Sequence, residues 1–135
     1  MSTACGKPVL EVQGFEPYIE RFELEAQSRG IYIKIVDLKI EMVIELESGG
    51  GVCKLGLGTP IIQIKANTFL SKSEEGKEMI IFHELAHCIL GQGHRELDQV
   101  KELGSIMTPF ITVTERNYKE HRQEVLDELF NHVRN

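Results

Sequence analysis

No stretch of this sequence approaches the roughly eighteen consecutive apolar residues of a membrane span, and no long cluster of lysine and arginine runs along it. The first absence leaves no spanning helix. The second, with a net charge of -6, argues against nucleic acid or an anionic membrane surface as the main partner. No C-x-x-C pair occurs among Cys5, Cys53 and Cys88, so a thiolate metal site is not indicated, and the odd count suggests no disulfide. Cys88 reads as a small buried apolar residue, and Cys53 carries no signal. Internal repeats, low-complexity segments and linkers are also missing. What remains is a chain of 135 residues, 41% hydrophobic, suited to one compact domain over 1–135 with residues 1–14 as a loose terminal segment.

Local patterns predict an α+β fold. Pro17 at a first-turn position opens a helix with Ile19, Phe22 and Ala26 at helical spacing, and Gly30 closes it. β-branched residues with partial alternation predict strands over 31–36, 40–47, 52–57 and 61–65, with Gly49-Gly50-Gly51 as a turn. Ser71 and Glu74 form a capping-box pattern ahead of a central helix that runs to about residue 90. Thr112 and Glu115 repeat that pattern, and Tyr118, Val125, Leu126, Leu129, Phe130 and Val133 trace one apolar stripe behind them. The expected architecture is a twisted sheet of about four strands with a backing helix, a central helix and a C-terminal helix.

Chemistry concentrates in His83-Glu84-Leu85-Ala86-His87, which continues through Gly91 to His94 and is followed by Ser105-Ile106-Met107. Residues four apart share a helix face, so His83 and His87 can offer imidazole nitrogens to one metal ion. Glu84, one position round the helix, cannot join that shell but can reach a water at the ion's open position, which suits a general base. Catalytic zinc sites keep three protein ligands. His94 is the expected third, because Gly91 can end the helix in a left-handed conformation and turn the chain back.

These residues resemble the metzincin clan of zinc metallopeptidases, whose signature is H-E-x-x-H-x-x-G-x-x-H followed by a Met-turn. Here the pattern reads H-E-L-A-H-C-I-L-G-Q-G-H, with the glycine and the third histidine each one residue late, and the likeness covers roughly 61–112. The resemblance implies a small zincin-like domain and a zinc endopeptidase. Met107 would form an apolar floor beneath the ligands, and an edge strand would bind a peptide or protein substrate in extended form. Residues 52–57 are the candidate edge, and Thr108-Pro109-Phe110-Ile111 would line an apolar pocket beyond the scissile bond. Pro109 stands where some members carry a tyrosine that assists the transition state. Zinc itself rests on the likeness, since imidazole also suits nickel, copper, cobalt and iron.

Other readings stay open at this level. Glu96 or Glu115 could supply an acidic third ligand, or the domain could be an inactive binding module with a structural zinc. Phe110, Ile111 and Met107 could be core residues, and 52–57 a covered hairpin. His121 and His132 read as surface positions. Met1-Ser2-Thr3-Ala4-Cys5-Gly6 is similar to the end of a bacterial lipoprotein signal, which would place membrane attachment at a lipidated Cys5 and the protein outside the cytoplasm; without it a cytoplasmic location is expected. Cys5-Gly6-Lys7-Pro8 also resembles the cysteine switch of matrix metallopeptidases.

Overall fold

The computed structural model describes residues 7–131. Cys5 and His132 therefore lie outside the described residues, as does Val133 at the end of the expected stripe. Four strands and four helices follow one another as β1 (Leu10–Glu11), α1 (Glu16–Gln27), β2 (Leu38–Val43), β3 (Gly51–Lys54), β4 (Ile61–Lys65), α2 (Ala66–Leu70), α3 (Glu74–Cys88) and α4 (Glu115–Asn131). The sheet order is β1-β2-β4-β3. β1, β2 and β4 are parallel, and β3 runs antiparallel to β4 along one edge. This is a small α+β domain with a mixed sheet. Among the described residues, no helix is long and apolar enough to cross a membrane.

The sheet is one-sided. Leu38, Ile40, Ile62 and Ile64 are buried at alternate positions, while Lys39, Glu41 and Gln63 point the other way, with the Gln63 amide donating to Glu41 Oε1 at 2.9 Å. The central helix α3 is buried nearly all round, from Gly76 through Met79-Ile80-Ile81-Phe82 to Ala86, as expected of a helix with a sheet on one side and other helices on the next. Phe22 of α1 sits 5.1 Å from the Phe82 ring of α3 and 5.2 Å from the Phe130 ring of α4. Truncating such a fully buried ring costs about 3–5 kcal/mol.

Local chemistry explains the boundaries. α1 ends in a Schellman pattern, with the Ile31 N–H donating to the Ala26 carbonyl and the Gly30 N–H to the Gln27 carbonyl. Gly30 there has φ +80°, a conformation glycine adopts without penalty. Ser73, not Ser71, caps α3 by accepting the Gly76 N–H. Ser71 instead closes the short helix α2, which the sequence patterns did not indicate. α4 is likewise capped two residues later than expected, by Thr114 accepting the Asn117 N–H.

Three expectations change. Residues 31–36 do not form a strand. The Ile35 N–H is taken at 2.7 Å by the Glu23 carboxylate of α1, and both flanks of β2 are occupied by β1 and β4. Within the segment 1–14 expected to be loose, residues 10–12 join the fold: β1 pairs with β2, and Val12 is buried. Asp37 ties these parts together, accepting from the Val9 N–H at 2.9 Å and the Thr59 hydroxyl at 2.8 Å.

The third correction concerns the cysteines. Cys53 of β3 and Cys88 of α3 form a disulfide, with Cα atoms 5.7 Å apart. Cys53 pairs with Ile62, whose side chain faces α3, so Cys53 faces α3 as well. An odd cysteine count hid this pairing because the leftover residue, Cys5, lies far from it in the sequence.

Candidate metal centre

α3 places His83 and His87 one turn apart on one face. At its end the Gln92 N–H returns to the Ala86 carbonyl at 3.0 Å, with Gly91 at φ +67°, and the chain folds back as the sequence predicts. His94 is thereby brought beside the helix. Its Nε2 lies 3.1 Å from His87 Nε2, which in turn lies 3.2 Å from His83 Nε2. All three ligand atoms fall within 4.8 Å of one another, with His83 buried, His87 half-buried and His94 exposed. Neither Glu96 nor Glu115 joins this cluster. Glu115 instead accepts from the Ser73 backbone N–H and hydroxyl at the start of α3.

The remaining ring nitrogens reveal which tautomers are present. His83 Nδ1 is 2.6 Å from the Ile106 carbonyl and His87 Nδ1 is 2.6 Å from the Gln92 carbonyl. A carbonyl only accepts, so we assign the proton to Nδ1 in both rings and the lone pair to Nε2. Lone pairs that face each other at such separations repel unless a proton or cation lies among them. Imidazole nitrogens held about 2.0–2.1 Å from one tetrahedral ion stand roughly 3.3 Å apart, close to the separations of His87 Nε2 from His83 Nε2 and His94 Nε2. The donor set fits a metal ion.

Protonation agrees. Burial, reinforced by the facing His87 and His94, pushes the His83 imidazole down to about 4 against its bond to the Ile106 carbonyl. Burial and the neighbouring His87 also hold His94 below its ordinary value. Both rings are therefore neutral near pH 7, the form that binds metal. Glu84 moves the opposite way, with burial pushing its carboxyl up to about 7. No hydrogen bond or ion pair to another described residue offsets that burial.

Glu84 and His83 share the floor of an open cavity of about 250 Å³. Gly49, Gly50 and Gly51 form one wall and Pro109, Phe110 and Ile111 another. Phe110 is 80% exposed and so is not a core residue. Met107 is fully buried in the main core. From this turn, the atom that reaches the histidines is the Ile106 carbonyl, which sequence alone did not single out. β3 lies on the sheet edge as expected for 52–57, although it covers only Gly51–Lys54. Gly51 packs against Glu84, leaving 3.0 Å between its would-be Cβ and Oε2.

His121 stays away from the cluster. It marks a kink in α4 and pairs with Glu124.

No protein-family model, curated protein or solved structure matches this chain.

Proposed function

We propose that this protein is a zinc-dependent endopeptidase whose site is of the metzincin-like kind, with His83, His87 and His94 as ligands and Glu84 as general base. The observation that carries the reading is the convergence of three imidazole Nε2 atoms beside a cavity floored by a buried carboxylate that has no hydrogen-bond or ion-pair partner among the described residues. Three imidazoles with a fourth position free are the donor set of catalytic zinc, whereas a structural zinc takes four protein ligands. The latter count disfavours an inactive binding module, since the cluster has three donors among the described residues.

An ion held by His83, His87 and His94 would supply Lewis acidity, polarising the scissile carbonyl and easing loss of a proton from water. Glu84 then takes that proton as the water oxygen bonds to the carbonyl carbon. It passes the proton to the amide nitrogen as the C–N bond breaks.

Substrate would lie extended along the free edge of β3, held by backbone hydrogen bonds. The cavity between the glycine turn and Pro109-Phe110-Ile111 would take an apolar side chain just beyond the scissile bond. Pro109 has no hydroxyl to offer the oxyanion, so that stabilisation falls to the metal. Met107 supports the site from the core beneath. The Cys53–Cys88 disulfide favours an oxidising compartment outside the cytoplasm.

The test is a peptide-library digest by the zinc-loaded protein beside Glu84→Gln. Wild type should cleave, and Glu84→Gln should retain zinc while losing about 10²–10⁴-fold in rate. Undiminished cleavage by that variant would remove Glu84 from the mechanism.

A further inference from the structure

His94 departs from the metzincin spacing and sits on a loop, exposed, seven residues after His87. Something must hold it, and the next residue shows what does. Arg95 is 8% exposed, and its backbone N–H donates to the Met107 carbonyl at 2.7 Å. Its Nε donates to Glu128 Oε2 of α4 at 3.0 Å, and its Nη2 to Gln92 Oε1 at 2.9 Å and to the Leu129 carbonyl at 3.3 Å. Carbonyls in the last turns of α4 carry the negative end of the helix dipole, which favours a guanidinium there.

The other oxygen of Glu128 serves the opposite wall. Oε1 accepts from the Ser105 hydroxyl at 2.7 Å, and that hydroxyl accepts the Met107 N–H at 3.0 Å. Between them, Arg95 and Glu128 hold the loop that carries His94 and the two turns whose carbonyls bond His83 and His87. Arg95 follows His94 directly. Gln92, held through its side chain, presents the carbonyl that orients His87. The 105–107 turn presents the Ile106 carbonyl that orients His83.

We propose that Glu128, acting through Arg95 and Ser105, is the positioning residue of the metal site. One carboxylate on α4 aligns all three ligands without touching the metal. This role rests on the metal reading above. It explains how a third ligand one residue out of the family spacing can still meet the other two: the loop is anchored to α4 immediately after His94.

The test is Zn²⁺ affinity of the full chain, by competition with a chromophoric chelator, together with the visible spectrum of the Co²⁺-substituted protein. Wild type, Glu128→Gln, Arg95→Lys and the distant core variant Val12→Ala are compared below their melting temperatures. Loss of an outer partner of this kind weakens metal binding by about 10–100-fold, and that is expected for Glu128→Gln along with altered Co²⁺ absorption. Arg95→Lys should weaken it too, because an ammonium cannot bridge Glu128 and Gln92 as the planar fork does. Val12→Ala should lower the melting temperature and leave the affinity within about twofold. Wild-type affinity and spectrum in Glu128→Gln and Arg95→Lys, despite lowered melting temperatures, would overturn the role and leave the pair as a stabilising ion pair. A wild type that takes up no Zn²⁺ would overturn the metal reading itself, and this role with it.

Discussion

Gly51 of β3 and Glu84 of α3 approach so closely that a methyl group on Gly51 would stand 3.0 Å from Glu84 Oε2 and 3.2 Å from its Cγ. Two residues further along the strand and four along the helix, Cys53 is joined to Cys88. A strand advances about 6.6 Å in two residues and a helix about 6.0 Å in four, so both contacts belong to one register between β3 and α3. The edge strand proposed to hold substrate and the helix carrying the proposed base are therefore coupled at two successive points.

Gly51→Ala should shift the Glu84 carboxylate, because the Ile64 side chain closes the other side at 3.1 Å. Displacements of this order in a catalytic group cost about 10–100-fold in rate. Steady-state cleavage should show that loss in kcat with zinc content unchanged. Wild-type kcat would mean that the carboxylate position is not set by this contact.

The disulfide closes a loop with a sequence separation of 35. In the chain-entropy account, a loop of that size contributes about 3–4 kcal/mol by restricting the unfolded chain. Urea unfolding of the Cys53→Ser/Cys88→Ser protein should show a deficit of that size. A midpoint equal to that of the oxidised wild type would show that β3 is held by packing alone.

Burial raises Glu84 to about 7 from its ordinary 4.5, so the metal-free native state holds its proton more tightly than the unfolded chain does. Stability falls as pH rises from the unfolded value through the folded one, and above both the cost is on the order of 3 kcal/mol. With chelator present, Glu84→Gln should be more stable than wild type at pH 8, and the gap should close toward pH 5. His83 is common to both proteins and cancels. A gap independent of pH would contradict the assigned shift.

Glu78 offers the reverse case. Burial would push its carboxyl up, but hydrogen bonds from Arg122, Tyr118 and Arg21 outweigh that and hold it below the ordinary carboxylate value. The Arg122 Nε lies 2.7 Å and the Arg21 Nε 2.6 Å from its oxygens. This links α1, α3 and α4. Removing one partner of a buried charge pair costs about 3–5 kcal/mol, which thermal melts of Glu78→Ala at pH 7 should register. Because the folded pKa is depressed, the stabilisation is present above the ordinary value of 4.5 and lost as pH falls through the folded one. The wild-type advantage should therefore vanish in strong acid. A difference that does not shrink as the pH falls below the ordinary carboxylate range would point to packing instead.

Features written in neighbouring residues were legible in the sequence. The helical spacing of Ile19, Phe22 and Ala26, the β-branched run 61–65, the left-handed turn at Gly91 and the four-residue step from His83 to His87 all depend on local geometry. Capping positions slipped by two residues, because Ser71 and Thr112 each have a competing hydroxyl, Ser73 and Thr114, nearer the helix start. Residues 31–36 carry strand composition, but the Ile35 N–H is taken by the Glu23 carboxylate of α1, a partner that only the folded chain reveals. The disulfide joins residues 35 apart, and the Arg95–Glu128 pair spans 33, so no local pattern announces either. One clue was available: a charged Glu78 directly before Met79-Ile80-Ile81-Phe82 implies a buried carboxylate that needs cationic partners.

The most direct test of the central claim is metal content by elemental analysis of wild type and His94→Ala after zinc loading and desalting. The three-histidine centre predicts about one zinc per chain in wild type and a large loss in His94→Ala. Full zinc retention by His94→Ala, or none in wild type, would contradict it.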